Sequence, residues 1–562
     1  MKCKHLGLMG NIFRMVPGLD AVFGYDVAVN DIFRGIFRWS SLEQVTCFYD
    51  PYNSQDLILK KKYRSLSRQS DMSVKMNLFS EFDFLKRDVN TGVDVLHSAS
   101  MEFMPLVYVR EFFSPSKCPV TYTIHGASYP NYIEGFYLMK LLMPFRPYDS
   151  LICTSHSVKY TVNRMLTNIS ELLGRHNGID IKYQGRLDVV PLGVDTEKFT
   201  PLERSVVRDE FHIAHDAFVI LWIGRFSTYD KADLYPLLQV FKRLLKKNPG
   251  KKLQLILAGY DRRNLPQLPL MKKYTRELGI DSHVHFFENH DMANRNRLFS
   301  CADVFTSPID NVQETFGLTP IEAMACGIPQ VVSDWNGYRD TVVDGVTGFL
   351  IPTYWSRCDE DIQHAALLPT DANYRTGLHH LLMGQSVAVD LNEYEKALQS
   401  LMDNPDLKRQ MSQQSVQRAR EKFSWQVIVR KYEELWTELL RIKQKVSTHD
   451  MRDQMRFIQP IYCSAFAKYP KMFLDDDVLL KITEDGKQLL EDGVPFPWHY
   501  DIEKLLPKFQ ITNPILNIVL AGGNKGVKMT DIIASFGQDY NSSLLRRSIM
   551  WLVKQGFVSV LF

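Results

Sequence analysis

One texture occurs twice in this chain and constrains its fold more than any other feature. Short apolar runs, each ending at a polar or turn residue, alternate with helical stretches. DVLHSAS, PVTYTIHG, DSLICTSHS and LDVVPLGVD carry it in the first part, and AFVILWIGRF, LQLILAG, HVHFFE, ADVFTSP and PQVVSD carry it after about residue 216. Apolar strands spaced by helices predict βαβ units and a parallel sheet. The run Lys4 to Met9 reads as a buried first strand, followed by a loop with Gly10, Pro17, Gly18 and Gly24. FYLMKLLMPF reads as a helix. ADLYPLLQVFKRLLKK reads as an amphipathic helix, with Leu234, Leu237, Leu238, Phe241 and Leu245 on its apolar face. The restart splits the pattern into two α/β halves, joined at PLGVDTEKFTP and punctuated there by Pro191, Gly193 and Pro201.

A chain of 562 residues is longer than two such halves require. With 45% hydrophobic and 23% charged residues it has the composition of a packed protein, which excludes disorder, collagen-like repeats and coiled coil for most of its length. Its 67 Lys+Arg stand against 64 Asp+Glu, so a bulk nucleic-acid partner is not favoured. None of the eight cysteines forms a C-x-x-C pair or a zinc spacing, so free thiols in a reducing compartment are expected. The N-terminus lacks a signal-peptide pattern and no run approaches a membrane span, so the expected location is cytoplasmic. The run Lys60, Lys61, Lys62, Arg64 reads as a solvated face, with peripheral membrane contact as the alternative.

The chemistry concentrates in ADVFTSPIDNVQETFGLTPIEAMACGIPQVVSDWNGYRDTVVDGVTGFLIP, residues 302–352. A strand ends at Ser307-Pro308, and a loop carries Glu314 into Phe316-Gly317-Leu318. Thr319 reads as the N-cap of a helix, Pro320 as its first residue and Gly327 as its stop. Amides at such a helix start form an anion site, with no side chain in the way at Gly317. Thr319-x-x-Glu322 also reads as a capping box, which would turn Glu322 back onto the cap amide. Two carboxylates with seven residues between them around an F-G-L loop, followed by A-C-G-x-P and D-G-V-T-G-F-L, go beyond a capping box.

The combination resembles the E-x7-E signature of retaining nucleotide-sugar glycosyltransferases with the GT-B fold, glycosyltransferase family 4. The resemblance covers about residues 1–445. It implies two Rossmann-like domains facing a cleft: 1–197 on the acceptor side and 198–422 on the nucleotide-sugar donor side, with an insertion near 353–386 that carries no clear strand signal. A helix at 423–446 would cross back to the first domain. The resemblance further implies that Glu322 bonds the ribose hydroxyls and Glu314 the donor sugar, with amides of Phe316, Gly317 and Leu318 near the diphosphate. In GRFSTYDKAD, Gly224 and Arg225 end a strand, and Arg225 and Lys231 match the family's basic pair that neutralises the leaving diphosphate. Ala232 stands where the family usually has glycine. A first-domain histidine at a strand end is implied near the reacting sugar; His125 is preferred to His97. Gly18 corresponds to the family's glycine-containing first loop, although the commoner G-G form is missing.

The implied reaction is sugar transfer with retention, UDP being the commonest donor nucleotide, without metal or other cofactor. The acceptor is open: small molecule, glycan, lipid or peptide. The alternative is a non-catalytic sensor of a nucleotide sugar with the same fold; a phosphorylase of similar fold would need a pyridoxal-phosphate lysine, for which no signal is found. Residues 447–562 exceed the pattern and form a mainly α extension. From about residue 513, three helices and a strand read as winged-helix-like. Five Lys/Arg against two Asp in 513–562 are few for a DNA-binding head, so a peptide- or protein-recruiting module and a dimerisation or packing appendage are the competing readings. Asp475-Asp476-Asp477 reads as a charged turn rather than a metal site.

Overall fold

A computed structural model describes residues 2–9, 24–49, 74–80, 92–99, 106–129, 132–261, 266–288, 295–366, 372–449, 451, 461–492, 509–537 and 540–561. Gly18 and the Lys60–Arg64 run lie outside the described residues. The chain divides into two units, Met1–Ile458 and Gln459–Phe562.

The first unit holds two parallel sheets. Seven strands build the first: β1 His5–Leu8, β2 Gln44–Tyr49, β3 Lys75–Ser80, β4 Val95–Ser98, β5 Val120–Ile124, β6 Ser150–Cys153 and β7 Arg186–Val189. Their spatial order is β3-β2-β1-β4-β5-β6-β7. Six build the second: β8 Phe218–Phe226, β9 Leu253–Asp261, β10 Val284–Glu288, β11 Val304–Ser307, β12 Gln330–Ser333 and β13 Gly348–Ile351, in the order β10-β9-β8-β11-β12-β13. Each order reverses direction once, between β1 and β4 and between β8 and β11. In open α/β sheets ligands bind outside the carboxyl ends of the strands at such a point. Five inner strands are buried on both faces: all residues of β4, β5, β6, β11 and β12 are buried. β2 and β3 carry no run distinctive enough to be read from the sequence, and they appear only through pairing, β2 with β1 and β3 with β2.

The helix Trp425–Lys443 packs back on the first sheet. Tyr432 shares a 3.0 Å hydroxyl bond with Thr123, and Trp436 Nε1 donates to Thr121 Oγ1 at 3.3 Å. Gly35 leaves room for its Trp425 ring, since a Cβ there would lie 2.7 Å from that ring.

The stretch 353–386 does contain a strand. Thr353–Trp355 (β14) pairs antiparallel with Val387–Val389 (β15), and the helices Asp359–Ala366 and Ala372–Gln385 lie between them. Three residues are too few for period-two alternation to show, so only the long-range pairing reveals this strand.

In the second unit, β16 Leu479–Ile482 is the centre of a three-stranded antiparallel sheet, flanked by β17 Val527–Lys528 and β18 Val558–Leu561. The helices Phe509–Ala521, Met529–Ser535 and Ser542–Lys554 pack their apolar residues on it, with Leu480, Ile515, Ile532, Ile549 and Leu552 fully buried. Asp476 pairs with Arg546 and Asp477 lies 3.3 Å from Lys528, so two of the three aspartates neutralise basic residues of this unit.

Among the described residues no helix is long and apolar enough to cross a membrane. All eight cysteines are free, six of them buried.

Candidate active site

The second sheet's reversal point brings the charged residues together. β8 ends in Gly224-Arg225-Phe226, and the turn after it returns Lys231, whose amide bonds the Ser227 carbonyl at 3.1 Å. β11, the adjacent strand, ends at Ser307 and leads into the loop of Glu314. Lys231 Nζ donates to Glu314 Oε2 at 2.9 Å, with 14% and 15% of the two side chains exposed. Burial pushes the Glu314 carboxyl up. Lys231 and the amides of Phe316 and Thr315 outweigh that and hold it below the usual carboxylate range. The lysine moves the opposite way: burial lowers it, but Glu314 outweighs burial and leaves it raised. Both shifts favour the charged pair. Arg225 turns to Asp230, with Nη2 at 3.4 Å from its carbonyl and 3.6 Å from its carboxylate.

Gly317 has a φ of +95° and is the N-cap of the helix Leu318–Ala325, with no side-chain cap bond. The expected cap at Thr319 is therefore corrected by two residues. The left-handed backbone at Gly317 starts the helix early, and Thr319 falls inside it. A Cβ at Gly317 would lie 2.3 Å from the Tyr338 ring, so the glycine is needed for packing as well. Phe316 is buried, and Leu318 is half-buried. Gly224 abuts Gly259: a Cβ on Gly259 would lie 1.6 Å from the Gly224 carbonyl oxygen.

Glu322 does not reach back to the cap. It is 4% exposed and pairs with Arg295, at the start of the helix Arg295–Cys301. Burial pushes its carboxyl up to about 7 against the pull of Arg295. Arg295 lies 27 positions upstream, with no motif to mark it, and is the partner sequence reasoning missed.

The two histidines separate clearly. His97 is fully buried, with Nδ1 2.9 Å from Thr121 Oγ1 and its ring edge-on to Tyr432 and Trp436. Burial, then the neighbouring His125, push it down to about 3, so it is a neutral core residue. His125 follows β5 and is half-buried; Nε2 lies 2.7 Å from the Ala99 carbonyl, which makes that nitrogen the donor. Its own carbonyl accepts from Thr315 Oγ1 at 3.0 Å, so the strand end touches the donor-side loop.

That contact belongs to a wider seam. Ser155, N-cap of the helix His156–Asn177, donates to the Thr315 carbonyl at 2.8 Å. Asn336, with a φ of +43°, donates to the Glu314 carbonyl at 2.5 Å. A Cβ on the adjoining Gly337 would lie 2.3 Å from Phe316 Cα. The Asn-Gly pair in SDWNGYRD is a turn signal that could have marked these positions. Among the described residues no group of three or more His, Cys, Asp or Glu side chains could hold a metal ion.

A family profile described as "Glycosyl transferases group 1" matches residues 203–374. D-inositol 3-phosphate glycosyltransferase of Nocardia farcinica is 29% identical over 217 residues, 38% of this chain and 47% of that one. The protein of the same name from Geodermatophilus obscurus is 34% identical over 179 residues, 31% of this chain and 38% of that one. The match thus spans about half or less of these curated relatives. Among solved structures, Anabaena Alr3699/HepE in complex with UDP aligns with a TM-score of 0.50 at 15% identity, covering 77% of this chain and all of that one. That likeness is one of fold, the two facing Rossmann-like sheets of GT-B. Residues 203–374 are thus similar to the glycosyl transferases group 1 family, and the likeness of fold extends over both sheets.

Proposed function

We propose that this protein transfers a sugar, with retention, from a UDP-sugar to an acceptor hydroxyl. The observation that carries the reading is the half-buried Lys231–Glu314 pair at the reversal point of the donor-side sheet, 2.9 Å apart and both charged. It is supported by the family match and by a similar fold whose structure holds UDP. A diphosphate at the N-terminus of the helix Leu318–Ala325 would meet the amides near Gly317, with Arg225 and Lys231 supplying positive charge. The acceptor oxygen forms its bond to the anomeric carbon on the face from which the phosphate oxygen leaves. The departing phosphate takes the acceptor's proton, and the two basic residues stabilise the negative charge that develops on it. Glu314 orients the sugar hydroxyls, Glu322 the ribose, and His125 bonds a donor-sugar hydroxyl. We read residues 1–197 and 198–422 as the acceptor and donor domains. The second unit, with helices packed on a three-stranded sheet, is a winged-helix-like module that recruits a peptide or protein acceptor.

Release of nucleoside diphosphate from a panel of nucleotide sugars, with and without candidate acceptors including peptides, tests the reading. Binding without release in every combination would make the protein a sensor; neither binding nor release would end the proposal. Glu322→Gln is expected to weaken UDP binding roughly tenfold, through one lost charge-assisted hydrogen bond, with little change in kcat. Calorimetric titration with UDP checks this, and unchanged affinity would remove Glu322 from the ribose.

A further inference from the structure

The stretch between β14 and β15 is pinned at its base and reaches the loops after His125 and before Glu314 farther on. At the base, β14 and β15 pair, Ser356 N bonds the Ser386 carbonyl at 3.0 Å, and Tyr354 donates to Asp390 at 2.9 Å. The helix Ala372–Gln385 lies across the loops that carry the site. His380, 1% exposed, faces both halves at once. Its Nε2 lies 3.0 Å from Ser128 Oγ, and its ring stands edge-on to Tyr129 at 5.2 Å; both partners follow His125 in the first half. Its carbonyl accepts from Asn311 Nδ2 at 3.4 Å, and that same amide donates to the Tyr229 carbonyl at 2.8 Å. Asn311 belongs to the Glu314 loop and Tyr229 to the Lys231 turn. Gly384 packs beside Asp310 and Asn311, where an added Cβ would lie 3.9 Å from each.

We propose that the helix Ala372–Gln385 is a clasp, and that His380 is the positioning residue through which it holds the loop after His125 against the loop of Glu314. Two loops far apart in the chain converge on this one residue, Ser128 and Tyr129 on its ring and Asn311 on its carbonyl, and a hydrogen bond between buried partners has little water to compete with it. Burial keeps His380 neutral by lowering it to about 4. One ring nitrogen is then free to accept, which suits a hydroxyl partner that can donate or accept. The clasp shapes the side of the cleft where donor sugar and acceptor would meet, so its effect on turnover rests on the proposed sugar transfer. Its effect on the two loops does not.

The test has two arms, both on the full chain. Amide hydrogen exchange is followed in 121–129, in 311–317 and in 377–385 for the wild type, His380→Ala, Ser128→Ala and His380→Gln. The expected result is faster exchange in 121–129 and 311–317 together for both alanine variants, by roughly three- to tenfold, with His380→Gln near wild type because its amide still bonds Ser128. Change confined to 377–385, or none, overturns the clasp; Ser128→Ala, at a half-buried loop position, keeps the test open should His380→Ala fail to fold. In the second arm, UDP-glucose turnover is expected to show a KM raised roughly three- to tenfold in the alanine variants with kcat within about twofold, and rescue by His380→Gln. Wild-type kinetics in both alanine variants would overturn the role in turnover. Absence of any wild-type turnover would count against sugar transfer, and the exchange arm would still decide the clasp.

Discussion

Lys231→Ala is expected to lower kcat by about 10²–10³-fold while changing UDP affinity little, the size seen when one preorganised electrostatic contact to developing charge is removed. The physical ground is the environment of the pair. Lys231 and Glu314 are each about six-sevenths enclosed, and burial alone disfavours the charge on both. They stay charged because they face each other, so the ammonium is held in place before any diphosphate arrives. Positive charge already fixed where negative charge develops costs no reorganisation during the reaction.

The variant has a second consequence. Without the lysine, burial of Glu314 is opposed by the Thr315 and Phe316 amides but no longer by its charged partner, so its carboxyl moves upward. If ionised Glu314 orients the sugar, the acid limb of the residual pH profile shifts to higher pH. Initial rates of nucleoside diphosphate release across pH measure both effects. Wild-type turnover in Lys231→Ala would remove the residue from the reaction. Lys231→Arg is expected to recover only part of the activity, since a planar fork does not occupy the place of a compact ammonium.

Gly337→Ala is the second large effect. A Cβ there would lie 2.3 Å from Phe316 Cα, 2.6 Å from the Phe316 carbonyl oxygen and 2.7 Å from that of Thr315. All three are backbone atoms, so no rotamer change relieves the clash. The Glu314 loop must move, and Phe316, 1% exposed and packed at 6.0 Å on the Phe423 ring, resists that movement. The expected cost is about 1–3 kcal/mol of stability, with kcat/KM down about 10²-fold because a displacement near 1 Å misplaces Glu314 and the amides after it. Gly250→Ala is the control, with nothing within 4 Å of the added carbon. Thermal unfolding and UDP-sugar kinetics of the two variants, side by side, check this. Equal behaviour would mean that Gly337 does not brace the loop.

Much of this site was legible because its parts are local. The strand AFVILWIGRF announces its own end at Gly224-Arg225, and the strand ADVFTSP announces the loop that follows it. Both carry their signal in hydrophobicity and turn residues within one short window. The E-x7-E loop, Lys231 and His125 were named through the resemblance to family 4, whose motifs are themselves short and local. The cap of the helix Leu318–Ala325 was displaced because Thr and Pro signal a start only where the preceding backbone is ordinary. Gly317 at φ +95° is not.

What the sequence by itself determined was therefore the two βαβ patterns that become the two parallel sheets. Periodicity and turn chemistry act between neighbours in the chain, so a linear reading sees them. Tertiary structure alone decided the partners. Arg295 reaches Glu322 from another helix, Asn336 and Gly337 brace Glu314 and Phe316 from beyond β12, and His97 is sealed beneath Tyr432 and Trp436 of a helix over 300 positions away. It also turned an apparently strandless insertion into a pinned excursion that sets His380 on Ser128. Such contacts arise from packing between surfaces remote in sequence, and no local propensity encodes them.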